Sequence, residues 1–186
     1  MTRIIAGRAG SLTLEVPVSG TRPTSDRVRE SLFGALESAE ALHGAAVLDL
    51  FAGSGALGLE AVSRGATSTD LVEKAPRAAA VLARNAAKVG TSLGPDVDIR
   101  VHRADVAAYL RATRGEFDVV FIDPPYEYGE AELTSTLTLL VATLSPGATV
   151  VIERAGRTPQ PALPAGLVHT RMKKYGDTTL WWVAPA

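Results

Sequence analysis

The chain has 186 residues, of which 46% are hydrophobic and 21% are charged, and this composition indicates one globular domain with a sizeable core. It contains no cysteine, which excludes disulfides, thiolate zinc sites, iron–sulfur clusters and cysteine nucleophiles. The net charge of −1 argues against a generic nucleic-acid binder. No apolar run approaches the roughly 20 residues of a membrane span, and the start lacks the apolar core of a secretory signal, so we expect a cytoplasmic protein.

The charges are unevenly distributed along the chain. Residues 1–30 carry five arginines against three acidic groups, and residues 154–186 carry five basic groups against one acidic group. Residues 31–153 carry nine basic and sixteen acidic groups. An acidic middle between basic ends is compatible either with a phosphate-contacting face or with an ordinary mixed surface. The candidate phosphate-contacting residues are Arg3, Arg8, Arg22, Arg27, Arg29, Lys173 and Lys174.

The first predicted elements are a small β-hairpin and a helix. Residues 3–5 and 12–16 form the two strands, around a glycine-containing turn at residues 7–10. Thr24 or Ser25 is a suitable N-cap for the helix that follows. The apolar face of this helix comprises Val28, Leu32, Ala35, Leu36 and Ala39.

Beyond this helix, β-branched apolar runs alternate with amphipathic stretches. Strands are predicted at residues 46–50, 69–73, 97–101, 117–122, 148–152, 167–173 and 178–183. Helices are predicted at residues 56–64, 76–89 and 130–144, and a further helix begins at Asp105. The alternation predicts an α/β fold with a Rossmann-like, doubly wound sheet of seven strands. The tight turn at Gly176-Asp177 makes the last strand antiparallel, and we expect it to end the sheet.

A glycine loop follows the strand at residues 46–50. Gly53, Gly55 and Gly58 match the pattern G-x-G-x-x-G between a strand and a helix, which is the context that nucleotide binding requires. Glu73 ends the next strand about 20 residues later, where a carboxylate can accept hydrogen bonds from ribose hydroxyls. A tight turn without a ligand is the simpler alternative.

Asp49 distinguishes two possible cofactors for this loop. A dinucleotide would place a pyrophosphate beside Asp49, and the carboxylate would repel it, whereas the cationic groups of S-adenosylmethionine (SAM) would be attracted. Asp105 follows the third strand of the sheet and can accept from the adenine amino group, cap its helix, or do both. The candidate cofactor-binding residues are Asp49, Ala52, Gly53, Ser54, Gly55, Glu73, Lys74, Asp105 and Val106.

Asp123-Pro124-Pro125-Tyr126 is the most specific motif in the chain, and these four are the candidate catalytic residues. The prolines stiffen the turn after the strand at residues 117–122. The Asp123 carboxylate and the Pro124 carbonyl can each accept one N–H of a conjugated amino group, which directs the nitrogen lone pair towards a methyl donor. Tyr126 can stack on a base that has left its helix.

Together, these motifs resemble class I SAM-dependent methyltransferases over most of the chain. The motifs are DLFAGSGALGLEA at residues 49–61, LVEK at 71–74, RAD at 103–105 and DPPY at 123–126. Residues 3–7, 22–30 and 173–180 are more narrowly similar to the RsmD family. That resemblance implies methylation of the N2 amino group of a guanine in 16S ribosomal RNA within an assembling small subunit, by a monomeric cytoplasmic enzyme without a metal.

Other functions fit parts of the same pattern. DPPY also fits adenine-N6 methyltransferases of DNA or RNA and glutamine methyltransferases. A nicotinamide-dependent oxidoreductase is disfavoured by Asp49. A non-enzymatic RNA-binding assembly factor would require neither Asp49 nor Asp123.

The N-terminal hairpin is the expected RNA-binding extension. We treat residues 1–20 as an appendage separable from a methyltransferase domain at residues 21–186, because its arginines lie outside the cofactor motifs. A hairpin that only covers an edge of the sheet is the alternative.

Overall fold

The computed structural model describes residues 2–17 and 25–186, which form one α/β body. The strands are β1 Thr2–Arg3, β2 Thr13–Leu14, β3 Ala46–Asp49, β4 Ser68–Val72, β5 Asp98–His102, β6 Phe117–Ile122, β7 Leu144–Ala155, β8 Leu167–Tyr175 and β9 Thr178–Pro185. The helices are α1 Asp26–Ser38, α2 Ala56–Ser63, α3 Pro76–Leu93, α4 Val106–Ala112 and α5 Glu130–Leu140, and a 3₁₀ turn, Val141–Thr143, follows α5. No helix within the described ranges is both long and apolar enough to cross a membrane.

Seven strands form one mixed sheet in the order β5-β4-β3-β6-β7-β9-β8. Neighbours from β5 to β7 are parallel, whereas β9 is antiparallel to both β7 and β8. The predicted fold class is therefore confirmed. The expected position of the antiparallel strand was wrong, since β9 lies inside the sheet and β8 forms its edge. The connection at residues 156–166 is long enough to carry the chain past one strand position, about 5 Å wide, before β8 begins.

Helices cover both faces of the sheet, as the continuous apolar strands require. Val47, Val119 and Phe121 face α1, α2 and α3, while Leu48 and Val120 face α4 and α5. Alternate residues of one strand thus belong to opposite cores. This arrangement leaves the carboxyl ends of the parallel strands uncovered by either helical layer.

Two predicted helix ends differ from the structure. Helix α3 continues past Gly90 to Leu93, because Val89 and Leu93 extend its buried face, and Gly94 ends it. Helix α5 stops at Leu140, and β7 already begins at Leu144. The predicted strand at residues 148–152 is only the central part of β7.

The N-terminal hairpin packs into the main core. Its strands are two residues long, and Ile4 and Leu14 are buried against α1 and the neighbouring helices. The fully buried Glu60 carboxylate accepts hydrogen bonds from the backbone of Ile5 at 2.7 Å and Ala6 at 3.0 Å. Such contacts are typical of an integral part of the fold. The proposed boundary between residues 20 and 21 lies outside the described residues.

Helix α1 begins at a side-chain cap and contains a buried arginine. The Ser25 hydroxyl accepts a hydrogen bond from the Val28 backbone N–H at 3.3 Å, whereas Thr24, the alternative cap, lies outside the described residues. Arg29 is 1% exposed, and its guanidinium donates to the Arg3 carbonyl at 2.9 Å and to the Asp26 carboxylate at 2.7 Å. The expectation that Arg29 contacts RNA is corrected, because these partners hold it in the interior.

Candidate active site

A cleft of about 790 Å³ opens at the carboxyl ends of β3, β4 and β6. The glycine loop, the start of α4 and the segment after β6 form its walls. Its polar lining comprises Glu73, Lys74, Asp105, Glu132, Ser135, Thr136 and Asp123. Its larger apolar lining includes Leu50, Phe51, Val72, Ala78, Val106, Pro125 and Tyr128. A mostly apolar cleft with a few carboxylates suits a flat, partly cationic ligand.

Glu73 holds the glycine loop in place. One oxygen of its carboxylate accepts from the Gly53 N–H at 3.0 Å and the other from the Ala75 N–H at 2.8 Å. Gly53 has a φ of +53°, and a Cβ there would meet no atom within 4 Å, so its backbone borders open space in the cleft. Gly55 has a φ of +85° and faces inward, where a Cβ would lie 2.7 Å from the Leu82 side chain.

The rest of the loop shapes the cleft from behind. Ala52 is buried, and its N–H donates to the Val72 carbonyl at 2.9 Å. The Ser54 carbonyl accepts from the buried Asn85 amide at 2.8 Å. Ala52, Ser54 and Gly55 are therefore not part of the cleft wall, in contrast to Gly53.

Asp49 lies beneath the loop instead of on the cleft wall. It is 1% exposed, and one carboxylate oxygen accepts from the Gly58 N–H at 3.1 Å. The other oxygen is buried and has no hydrogen-bond partner among the described residues. Burial raises the pKa of Asp49 to about 7, the Gly58 N–H opposes this rise, and the negative charges of Asp123 and Glu73 add to it. The expected attraction of Asp49 to a cofactor cation would therefore have to act from behind the loop.

Asp105 and Lys74 form an ion pair on the rim of the cleft. Their charged atoms are 3.1 Å apart, and this contact with Lys74 lowers the pKa of Asp105. Asp105 also caps α4, since its carboxylate accepts from the Ala107 N–H at 3.0 Å. Val106, the first residue of that helix, contributes an apolar surface to the cleft. Asp105 therefore remains able to accept a further hydrogen bond while its helix stays capped.

The candidate catalytic motif, Asp123-Pro124-Pro125-Tyr126, lies between the cleft and a second, smaller pocket. Asp123 directly follows β6 and lines both spaces. Pro124 and Tyr126 line the second pocket, and Pro125 lines both. Tyr126 is 75% exposed, so its ring is available at the entrance. The remaining lining of the second pocket comprises Glu153, Arg154, Ala155, Thr158, Asp177 and Thr178.

The basic residues expected to contact RNA occupy different environments. Arg3, Arg27, Lys173 and Lys174 are exposed. Arg27 and Lys174 line one surface depression, between the start of α1 and the β8–β9 turn. The Arg8 guanidinium donates to the Leu93 carbonyl at 2.5 Å, which ties it to the end of α3. Arg22 lies outside the described residues.

Comparison with known proteins identifies the family. A family model described as "Conserved hypothetical protein 95" matches residues 2–184. The chain is 37% identical over 176 residues to "Ribosomal RNA small subunit methyltransferase D" of Escherichia coli strain K12, covering 94% of this chain and 85% of the relative. The chain belongs to the RsmD methyltransferase family.

A further curated relative and a solved structure agree with this assignment. The Haemophilus influenzae protein of the same name is 37% identical over 154 residues, which cover 81% of this chain and 77% of the relative. The structure titled "Putative methyltransferase yhhF from Escherichia coli" superposes with a TM-score of 0.83 at 34% identity, covering 99% of this chain and 97% of that one. The cofactor of this methyltransferase is SAM.

The cleft of this RsmD-family member fits SAM. Carboxylates at Glu73 and Asp105 suit ribose hydroxyls and an adenine amino group, and the apolar surfaces of Val72 and Val106 suit the adenine ring. The buried Asp49 carboxyl group lies behind the loop, and its pKa of about 7 leaves it partly ionised at neutral pH. Acceptors and apolar groups therefore occur where a cationic nucleoside requires them.

Sequence reasoning missed several residues that shape this RsmD-family site. The Phe51 and Tyr128 rings meet edge to face, 5.0 Å apart between centroids, and the Tyr128 hydroxyl shares a 2.7 Å hydrogen bond with Thr136. Asn85 bridges the loop and the hairpin, because its amide also donates to the Glu15 carbonyl at 2.9 Å. Phe51 lies inside the recognised glycine loop and could have been found there. No local signal marks the other residues, since their partners come from distant segments.

Proposed function

We propose that this enzyme transfers the methyl group of SAM to the N2 amino group of a guanine in 16S ribosomal RNA of the small subunit. The observation that carries the proposal is the position of Asp123, which lines both the cofactor cleft and the adjoining pocket. Support for the substrate comes from the E. coli relative, whose name specifies small-subunit ribosomal RNA. We propose that the enzyme acts as a monomer in the cytoplasm, where small subunits assemble.

The chemistry requires a weak nucleophile to be positioned accurately. The lone pair of an exocyclic amine is delocalised into its ring. Asp123 and the Pro124 carbonyl accept the two N–H groups, so that the nitrogen becomes pyramidal and its lone pair points towards the cleft. Pro124 and Pro125 keep these acceptors in place before RNA binds. Tyr126, exposed at the pocket entrance, stacks on the extruded base.

The cofactor side of the site is held by different residues. When bound, SAM would supply an electrophilic methyl group on a sulfonium; the cofactor product would be a neutral thioether, and the methylated nitrogen would release one proton to solvent. Glu73 binds the ribose while it holds the Gly53 loop, and Asp105 accepts from the adenine amino group. The packed rings of Phe51 and Tyr128 line the same cleft as Asp123 and give its wall an apolar surface.

Replacement of Asp123 tests this function. We expect Asp123→Ala to fold and to bind SAM, but to transfer methyl groups at least about 100-fold more slowly in single turnover, because a positioned acceptor is lost. The substrate is small-subunit RNA from a strain that lacks the corresponding enzyme. Glu127→Ala is the matched control, since Glu127 is an exposed carboxylate four residues away that lines neither space.

The outcome has two separate readouts. A near-normal rate for Asp123→Ala would contradict the role of Asp123. Nucleoside analysis of the wild-type product identifies the acceptor, and we expect N2-methylguanosine. N6-methyladenosine would instead assign the enzyme to the adenine-N6 class.

A further inference from the structure

A second carboxylate stands beside Asp123 at the end of the neighbouring strand. Strands β6 and β7 are parallel, with Ile122 paired to Ile152, so Asp123 and Glu153 each directly follow one member of this pair. Paired positions on adjacent strands are about 4.8 Å apart and place their side chains on the same side of the sheet. Asp123 and Glu153 accordingly line the same pocket.

Among the other charged groups of this pocket, Arg154 is directed elsewhere. Its guanidinium donates to the Tyr128 carbonyl at 3.0 Å and lies 3.8 Å from the Glu130 carboxylate, on the α5 side of the sheet. Asp177 belongs to the β8–β9 turn, where its carbonyl accepts from the Gly156 N–H at 2.6 Å beyond the end of β7, so that β7 lies between it and Asp123. Glu153 is therefore the carboxylate that the sheet places next to the site of transfer.

The chemistry of the bases makes this position selective. In guanine the exocyclic amino group is next to N1–H, a hydrogen-bond donor. In adenine the ring nitrogen beside the amino group is an acceptor, and the same holds for cytosine. A carboxylate beside the residue that binds the amino group can therefore accept a hydrogen bond from guanine, whereas it repels the ring nitrogen of adenine or cytosine.

We propose that Glu153 accepts the N1–H of the target guanine and is the specificity-determining residue that selects guanine over the other amino-bearing bases. The inference rests on the proposed function and adds a residue outside the DPPY motif. Asp123 and the Pro124 carbonyl bind the N2 amino group, and Glu153 accepts a hydrogen bond from the adjacent N1–H. Glu153 does not line the cofactor cleft, so SAM binding is independent of this contact.

The test uses 2-aminopurine, which carries the same amino group as guanine but has an acceptor at N1. Small-subunit RNA is prepared with either guanine or 2-aminopurine at the nucleotide that the wild-type enzyme methylates. We expect wild type to prefer guanine by at least about tenfold in kcat/KM. We expect Glu153→Gln to lose activity on guanine RNA and to hold or gain activity on 2-aminopurine RNA, because the amide can donate to N1. The preference should fall to within about threefold.

Three control variants accompany this measurement. Glu153→Asp keeps a carboxylate and should keep the preference for guanine even at a lower rate. Glu127→Gln and Asp177→Asn should leave the preference unchanged. Calorimetric SAM affinity should be equal in all variants, which shows that each has folded.

One set of results would overturn the role of Glu153, and a different result would overturn the function on which it rests. An unchanged preference in Glu153→Gln, or a preference abolished by Asp177→Asn instead, would refute the role of Glu153 alone. Absence of any transfer by wild type to guanine RNA would refute the proposed function, and the assignment of Glu153 with it. A loss of activity on both RNAs by the same factor would show that Glu153 only supports the pocket.

Discussion

At the scale of single residues, Asp49 has an unusual environment. Its carboxyl group is buried beneath the glycine loop, with one oxygen bound to the Gly58 N–H and the other unpartnered in the described part of the chain. Burial raises its pKa from 3.8 to about 7. Over most of the pH range between these two pKa values, the folded protein therefore holds a proton on Asp49 that the unfolded chain has already released.

This shift predicts a pH dependence of stability. A raised pKa contributes stability that is fully present below about pH 3.8 and is lost as the pH rises through about 7. Between about pH 5 and pH 7, the free energy of unfolding of SAM-free wild type should fall, relative to Asp49→Asn, by up to about 1.4 kcal/mol per pH unit. Urea denaturation at several pH values measures this difference. Parallel pH profiles for the two proteins would show that Asp49 is ionised throughout.

At the scale of elements, the N-terminal hairpin is joined to α2 by close backbone contacts. The Arg8 N–H donates to the Ser63 carbonyl at 2.8 Å, and the Ser63 hydroxyl donates to the Ala6 carbonyl at 2.6 Å. Gly7 has a φ of +83°, and a Cβ there would lie 2.0 Å from the Ser63 carbonyl oxygen. The hairpin thus requires glycine at position 7. Removal of the whole hairpin would also deprive the Glu60 carboxylate of its backbone donors.

Two glycine substitutions compare the hairpin with a helix. We expect Gly7→Ala to lower the free energy of unfolding by roughly 2–4 kcal/mol, because both its backbone conformation and the space are unfavourable. Gly34→Ala in α1 should raise it by about 0.5–1 kcal/mol, since a Cβ there meets nothing within 4 Å. Urea denaturation measures both variants. Wild-type stability in Gly7→Ala would mean that the hairpin is the separable appendage that the sequence suggested.

At the scale of the whole molecule, two exposed positive charges, one from each end of the chain, come together. Arg27 at the start of α1 and Lys174 near the end of β8 line one depression. The adjoining β8–β9 turn contributes Asp177 to the pocket that contains Asp123. RNA phosphates bound at Arg27 and Lys174 would therefore lie close to the pocket for the target base.

The salt dependence of RNA binding tests whether RNA phosphates contact Arg27 and Lys174. We expect the double variant Arg27→Gln with Lys174→Gln to reduce the slope of log K against log salt by about 1–2, because each lost phosphate contact removes about one released counterion. The control replaces Arg111 and Arg114 by Gln, since both are exposed at the end of α4 on the other side of the sheet. Equal slopes for the two variants would contradict the binding of RNA phosphates in this depression.

Local signals in the sequence determined the fold class and the main motifs. Apolar periodicity together with glycine and proline positions predicted the alternating elements, the loop at Gly53 and Gly55, and the turn at Asp123. These features depend on contacts within a few residues, so neighbouring side chains and backbone preferences are sufficient to define them. The cofactor followed from these short motifs, and the family followed from them together with residues 3–7, 22–30 and 173–180.

Only the tertiary structure decided how distant segments meet. The burial of Arg29 depends partly on the Arg3 carbonyl and Glu60, and the position of β9 depends on pairing with β7. The proximity of Glu153 to Asp123 follows from the register of β6 and β7. Strand order and register are set by long-range packing of two cores, and this packing produces no periodic pattern in the sequence. A charged residue looks equally suited to the surface or the interior until the partners that stabilise it are known.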